Sequence, residues 1–326
     1  MKKVTIVIPN WNGMEYIRVC LDSLRAQDTE DFETIVIDNA SSDGSDRVIE
    51  EEYPEVRLYR MPENLGFAGG VNEGIRLTET PYVLLLNNDI ECDPSFVKNL
   101  LSAIEKSPKI FSVSARMISY RNRGLLDGCG DLYTVLGWGM QRGVGQKISD
   151  PKYLKPAKVF SACAGAAIYS MEIFREIGLF DTDHFAYLED VDVGYRARIY
   201  GYQNLYEPSA VVWHWGSGSS GAVKYSDFKV RLSARNNIFL CYKNMPLFYR
   251  ILNAFPLYLG RVLKRSFFKK NGFLKAYNEG IREGFDRQKD MKKVPWQGKH
   301  FLNYLRIELE LIGNTFIYAS EYLKRR

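Results

Sequence analysis

Four short runs of β-branched and aliphatic residues punctuate the first ninety positions, and each of the first three leads into a stretch with helical spacing. VTIVIP (Val4–Pro9), ETIVID (Glu33–Asp38), VRLYR (Val56–Arg60) and YVLLL (Tyr82–Leu86) predict strands. Between them, Gly13–Ala26 carries Ile17, Leu21 and Leu24 on one face. Ser45–Glu52 follows the turn cluster Asn39–Gly44, and Phe67–Leu77 completes the set. Strands alternating with helices of this length predict an α/β fold with a parallel, doubly wound sheet. In such sheets ligands bind past the carboxyl ends of the strands. Asn10–Asn12, Asp38–Asp43 and Asn87–Asp89 all follow strand ends and are therefore expected on one rim.

Beyond Pro108 the pattern loosens. Residues 119–157, rich in Gly, Arg and Tyr, read as a loop or insertion. SACAGAAIYS (Ser161–Ser170) leads into a helix near Met171–Ile177. The acidic FDTDHFAYLEDVD precedes another helix, running to about Tyr200. The chain has 326 residues and a net charge of +5, but residues 241–326 hold 18 Lys/Arg against 7 Asp/Glu, leaving the first 240 acidic. That asymmetry predicts two parts with different jobs, an acidic body over 1–240 and a basic, aromatic, helical extension over 241–326, with Pro246 and Pro256 as punctuation. The apolar start ends in Asn-Trp-Asn with no small-residue cleavage pattern, so it reads as a strand and not a leader. Five scattered cysteines without a CxxC pair predict reduced thiols and a cytoplasmic protein. No apolar stretch reaches the roughly 18 residues that a spanning helix needs.

Individual residues carry competing readings. Asp38 is placed to accept hydrogen bonds from a ribose or base, but DNASSDGS also suits a strand-to-helix turn. Gly66, Gly69 and Gly70 open a helix, which serves close approach of a ligand or tight packing equally well. Asp89, a carboxylate at a strand end among amides, suits Mg²⁺ or Mn²⁺ with substrate phosphates, or an Asx turn. Glu189, Asp190 and Asp192 complement a helix dipole. The apolar approach FAYL would in addition make a carboxylate there more basic, as a general base requires. His214, between two tryptophans in VVWHWGSGSS, reads as structural or as a metal or phosphate contact. No GxGxxG follows the first strand, where a dinucleotide fingerprint would stand, and no GKS/GKT occurs.

Taken in order, VIPNWNGMEYIRVCLDSL, VIDNASSDGS, NLGFAGGVNEGI, LLLNNDIE, ACAGAAIYS, FAYLEDVDVGYRARIYGY and HWGSGSS resemble the family 2 inverting glycosyltransferases, in particular a rhamnosyltransferase-like branch of cell-surface polysaccharide synthesis. The resemblance covers about residues 3–240. It implies a GT-A fold, a nucleotide-diphosphate sugar donor, a glycan or lipid-linked acceptor and Mg²⁺ or Mn²⁺. Pro9, Asn10, Trp11, Asn12 and Asp38 would cradle the nucleoside, with Asn64, Gly66, Asn87 and Asn88 completing the donor site. Asp89 would be the metal carboxylate, helped by His214, and Asp190 of the Glu189–Asp190 pair the general base. Asn87 departs from the family pattern, standing where the first Asp of a D-x-D triplet is frequent. Two alternatives remain at this level: a nucleotidyltransferase making sugar nucleotides, and a non-catalytic nucleotide-sugar binding protein. No nucleic-acid motif accompanies the basic tail, and Arg261, Lys264, Arg265, Lys269 and Lys270 beside Phe, Leu and Tyr predict contact with an anionic membrane surface.

Overall fold

Strand β1 (Val4–Asn10) is buried along almost its whole length, as a strand covered by helices on both faces must be. The computed structural model describes residues 2–216 and 225–324. From β1 the chain runs through α1 (Ile17–Arg25), β2 (Phe32–Asp38), α2 (Ser45–Glu52), β3 (Arg57–Arg60), α3 (Gly66–Arg76) and β4 (Tyr82–Leu86). Helix α1 buries Ile17, Cys20, Leu21 and Leu24, the stripe that one face of a helix presents. Helix α3 lies so close to β1 that a Cβ on Gly74 would stand 2.2 Å from a Val7 methyl.

Next come β5 (Ile90–Cys92), α4 (Phe96–Ile104), β6 (Ile110–Ser119), β7 (Leu126–Gly128), β8 (Asp131–Tyr133), β9 (Gly139–Gln141), β10 (Ala157–Val159), β11 (Ala166–Ser170), α5 (Met171–Ile177), α6 (Glu189–Ile199) and β12 (Gln203–His214). The stretch 119–157 thus holds short strands. The main sheet has the order β10-β12-β6-β11-β4-β1-β2-β3, with β5 on β12 and β7 on β6. It is mixed. Strands β1 to β4 are mutually parallel, and β6 is parallel to β12, but β11 runs antiparallel to both β4 and β6. The reason is the connection. After β6 the chain returns through the short strands β7 to β10 with no α-helix between, so β11 enters beside the end of β4 and runs antiparallel to it. The reversal brings the start of β11 to the rim where β1, β2, β4 and β12 finish.

Apolar side chains fill a layer on each face of the sheet. The remainder is helical: α7 (Asp227–Asn244), α8 (Leu247–Leu252), α9 (Ala254–Lys270), α10 (Leu274–Arg287) and α11 (Phe301–Lys324). Residue 240 falls inside α7. Pro256 sits in the first turn of α9, where its missing N–H is no loss. A third apolar cluster joins α6, α7, α8 and α11 through Tyr195, Leu240, Tyr249, Tyr304 and Leu311. All five cysteines are free thiols. Among the described residues no helix is long and apolar enough to cross a membrane.

Candidate active site

The ends of β1, β2 and β4 are tied together by amides. Asn10 Nδ2 donates to Asp38 Oδ1 and to Ser45 Oγ, both at 2.9 Å, and Asn88 Nδ2 donates to Asn10 Oδ1 at 2.7 Å. Asp38 Oδ2 accepts from the Ser41 N–H at 3.0 Å. Asn10, Asp38 and Asn88 are buried and bonded to one another, so they shape the rim. Gly13 is required here, because a Cβ would fall 2.2 Å from Asn10 Oδ1. Asn12, with φ 51°, accepts from the Ser42 N–H at 2.9 Å and holds the two loops in register, while Trp11 is 40% exposed beside them. Asn64 caps locally, its Oδ1 accepting from the Gly66 N–H at 2.8 Å. Gly66 serves close packing: a Cβ there would lie 2.6 Å from the Phe185 carbonyl oxygen.

One residue past Asn88, Asp89 and His214 meet. His214 ends β12, which pairs with β5 directly after Asp89 and so fixes the two side chains relative to each other. Nε2 of His214 is 3.3 Å from Asp89 Oδ1, and Nδ1 donates to Asp127 Oδ2 at 2.5 Å. Burial pushes the imidazole pKa down, but the Asp127 and Asp89 carboxylates outweigh it and raise it to about 10. Trp215 stacks on Tyr120 with ring centroids 3.4 Å apart. The Gly/Ser run 217–220 that follows lies outside the described residues.

Asp190 approaches from the first turn of α6. Its Oδ2 accepts from the Ala164 N–H at 3.4 Å, and the neighbouring Gly165 carbonyl accepts from the Asn87 N–H at 2.8 Å. The Ala164–Gly165 turn that leads into β11 thus bridges Asp190 to the end of β4. Asp131 and Cys163 stand next to it, with one ligand-type atom from each of the three within 4.8 Å of the others. Burial raises the Asp190 pKa to about 6, against the N–H groups of Val191 and Ala164, which lower it. Burial, reinforced by the Asp190 charge, holds the Asp131 and Glu189 carboxyls far above the usual range. Asp192, the third acid of the run, points elsewhere. Its carboxylate is fully buried and receives Lys243 Nζ at 2.9 Å, Arg196 Nε at 3.1 Å and Asn244 Nδ2 at 2.7 Å. It is structural.

Asp127 and Asp131 escaped the sequence reading because they lie in the stretch taken as loop. LDG (Leu126–Gly128) and DLY (Asp131–Tyr133) are short strands there, three residues each, too short to carry a periodic signal.

Residues 5–178 match the model of the family described as Glycosyl transferase family 2. The N-acetylglucosaminyl-diphospho-decaprenol L-rhamnosyltransferase of Mycobacterium tuberculosis is 27% identical over 242 residues, 66% of this chain and 77% of that protein. The crystal structure of GalNAc-T7 with UDP, GalNAc and Mn²⁺ superposes with a TM-score of 0.60 at 15% identity, over 90% of this chain and 55% of that one. That of S. aureus TarS 1-349 in complex with UDP-GlcNAc gives 0.56 at 16% identity, over 89% and 84%. Both likenesses show the fold, a GT-A arrangement. With more than half its length matched to one family, the chain belongs to glycosyl transferase family 2 and is a glycosyltransferase.

Proposed function

We propose that the protein is an inverting glycosyltransferase that moves a sugar from a nucleotide-diphosphate donor to a hydroxyl of a lipid-linked or cell-surface glycan acceptor. Family membership disfavours the nucleotidyltransferase and non-catalytic alternatives. The observation that carries the reading is the placement of one carboxyl whose pKa suits a base, Asp190, across the Ala164–Gly165 turn from the Asn87–Asp89 strand end. The loops of Asn10–Asn12 and Asp38–Ser45 offer the nucleoside a preformed rim with Trp11 at its edge. Asp190 would take the acceptor hydroxyl's proton as the sugar leaves its diphosphate, and one displacement inverts the anomeric carbon, whose transition state is oxocarbenium-like.

The residues suit a divalent cation. Ligand atoms about 2.1 Å from an ion and at right angles stand about 3 Å apart, close to the 3.3 Å between Asp89 Oδ1 and His214 Nε2. Asp127 on Nδ1 is the outer carboxylate that orients a metal-binding imidazole. Mg²⁺ or Mn²⁺ held there would supply positive charge to the departing diphosphate. The solved neighbour with UDP, GalNAc and Mn²⁺ supports such an ion. The mycobacterial relative's name supports L-rhamnose as the sugar and a polyprenyl-diphosphate-linked acceptor. An acceptor of that kind lives on a membrane, and the 241–326 region is suited to meet one on its cytoplasmic side.

A panel of UDP-, GDP- and dTDP-sugars, assayed for binding and slow nucleotide release, tests the proposal. One donor is expected to bind and turn over with Mn²⁺ or Mg²⁺, and Asp89→Ala or excess EDTA to abolish turnover. Asp190→Asn should keep donor affinity and lose roughly 10²–10⁴ in rate, the usual worth of a placed base. Full activity in EDTA would remove the metal from the reading, and normal turnover by Asp190→Asn would remove the base.

A further inference from the structure

Three non-glycine residues with positive φ crowd the approach to Glu189 and Asp190: Phe185 (61°), Tyr187 (71°) and Leu188 (68°). At Phe185 ψ is −60°, and the Ala186 N–H donates to the His184 carbonyl at 2.7 Å. That is a γ-turn of the rare, strained hand. Side-chain-bearing residues keep such conformations only where their surroundings over-determine them.

Here the surroundings are other elements, and they hold five consecutive carbonyls. Asn236 of α7, fully buried, directs Nδ2 to the carbonyls of His184, Ala186 and Tyr187 at 2.9, 2.8 and 2.7 Å. An amide carries two hydrogens, so one is shared. Its neighbour Arg235 donates through Nη2 to the carbonyls of Asp183 and His184 at 2.9 and 3.0 Å. The fifth, Phe185, accepts from the Ala68 N–H at 3.1 Å, at the start of α3 where Gly66 leaves it room. A hydrophobic anchor for α7 would not need an amide aimed at three carbonyls of one strained turn.

We propose that Asn236 is a positioning residue for glycosyl transfer: by fixing the 184–187 turn it aims Asp190 at the acceptor. The inference rests on reading Asp190 as the base. Asn236 touches neither the Asn10–Asp38–Asn88 rim nor the Asp89–His214 pair, so its loss should spare donor binding. It should also free the turn and let water reach Asp190, which faces Glu189 on its own helix, Asp131 of β8, and Cys163 and Tyr169 at either end of the β11 segment.

The test is steady-state kinetics of Asn236→Ala against pH, with Asp190→Asn alongside. We expect kcat to fall at least tenfold, donor KM to stay within twofold, and the acid limb of the kcat profile to move to lower pH. Should Asn236→Ala melt below the assay temperature, Asn236→Ser carries the test, since it keeps a donor but not the reach to three carbonyls; the same pattern at smaller amplitude is expected. If the folded variant turns over as wild type with an unmoved acid limb while Asp190→Asn is inactive, the positioning role is wrong and the base stands. If Asp190→Asn is itself fully active, the base reading fails and takes this inference with it.

Discussion

Asp190 is basic because protein crowds its carboxylate, and the same crowding works against stability. Its pKa in the folded chain is about 6, above the ordinary 3.8. The stabilisation due to its protonated form is complete below about pH 4 and is lost as the pH rises through 6. Asp190→Asn removes a buried charge at neutral pH, so the variant should melt above wild type at pH 8, with the gap closing towards pH 5. Thermal melts across that range check it, and a variant melting below wild type at pH 8 would contradict the burial argument. Such an exchange of stability for function is common at active sites. At this scale the strand ends are legible in the sequence, and the structure brings Asp89 and His214 together past two of them, while the apolar FAYL precedes a carboxyl whose pKa burial raises. Only the resemblance separates Asp190 from Asp192, because which acid meets Lys243, Arg196 and Asn244 depends on the packing of a helix fifty residues away.

Helix α7 is the element on which the acidic 181–192 segment leans. Lys243 Nζ reaches Asp181 Oδ2 at 2.6 Å as well as Asp192, so both ends of the acidic stretch are pinned from one turn of the helix. Lys243→Ala strands these carboxylates and should cost about 3 kcal/mol, the usual effect of breaking a buried pair. Urea unfolding reads it, and a loss under 0.5 kcal/mol would mean that Arg196 suffices. The four early strands and their helices were readable within a residue or two, since apolar periodicity survives without tertiary information. The start of α1 was not: Gly13–Tyr16 form a turn whose N–H groups bond to Gly13 and to Asp43 rather than opening the helix. Strand β11 was read only as a small-residue run, because alanines and glycine carry little strand signal and its direction follows from a connection that returns to the same rim. A boundary at residue 240 followed the change of charge, which α7 straddles.

Across the whole molecule, apolar side chains stand outward on the last helices. Phe248, Ile251, Phe255, Leu259 and Leu263 are exposed along α8 and α9, and Leu305, Leu309 and Phe316 along α11. The two rows run side by side, since Tyr249 stacks on Tyr304 and Asn253 Nδ2 donates to Glu308 Oε2 at 2.7 Å. Exposed rows of this extent mark an interaction surface, and the exposed Arg265, Lys269 and Lys270 at the end of α9 suit it to anionic headgroups. Lys264, grouped with them from sequence, belongs elsewhere: it is tucked beside Trp138, and burial lowers its pKa to about 8. Vesicles with anionic lipid should bind the protein at low salt. Replacing Arg265, Lys269 and Lys270 by Gln should weaken binding by up to about 3 kcal/mol, at about 1 kcal/mol per cation. No binding by the wild type at low salt would make these helices a packing or self-association surface.

Inversion in a single displacement is the claim on which the roles of Asp190, Asp89 and the donor rim converge. It is read most directly by proton NMR of the sugar first released when the wild-type protein hydrolyses its nucleotide-sugar donor, recorded before mutarotation. The account predicts the anomer opposite to that of the donor. Release of the donor's own anomer would contradict it.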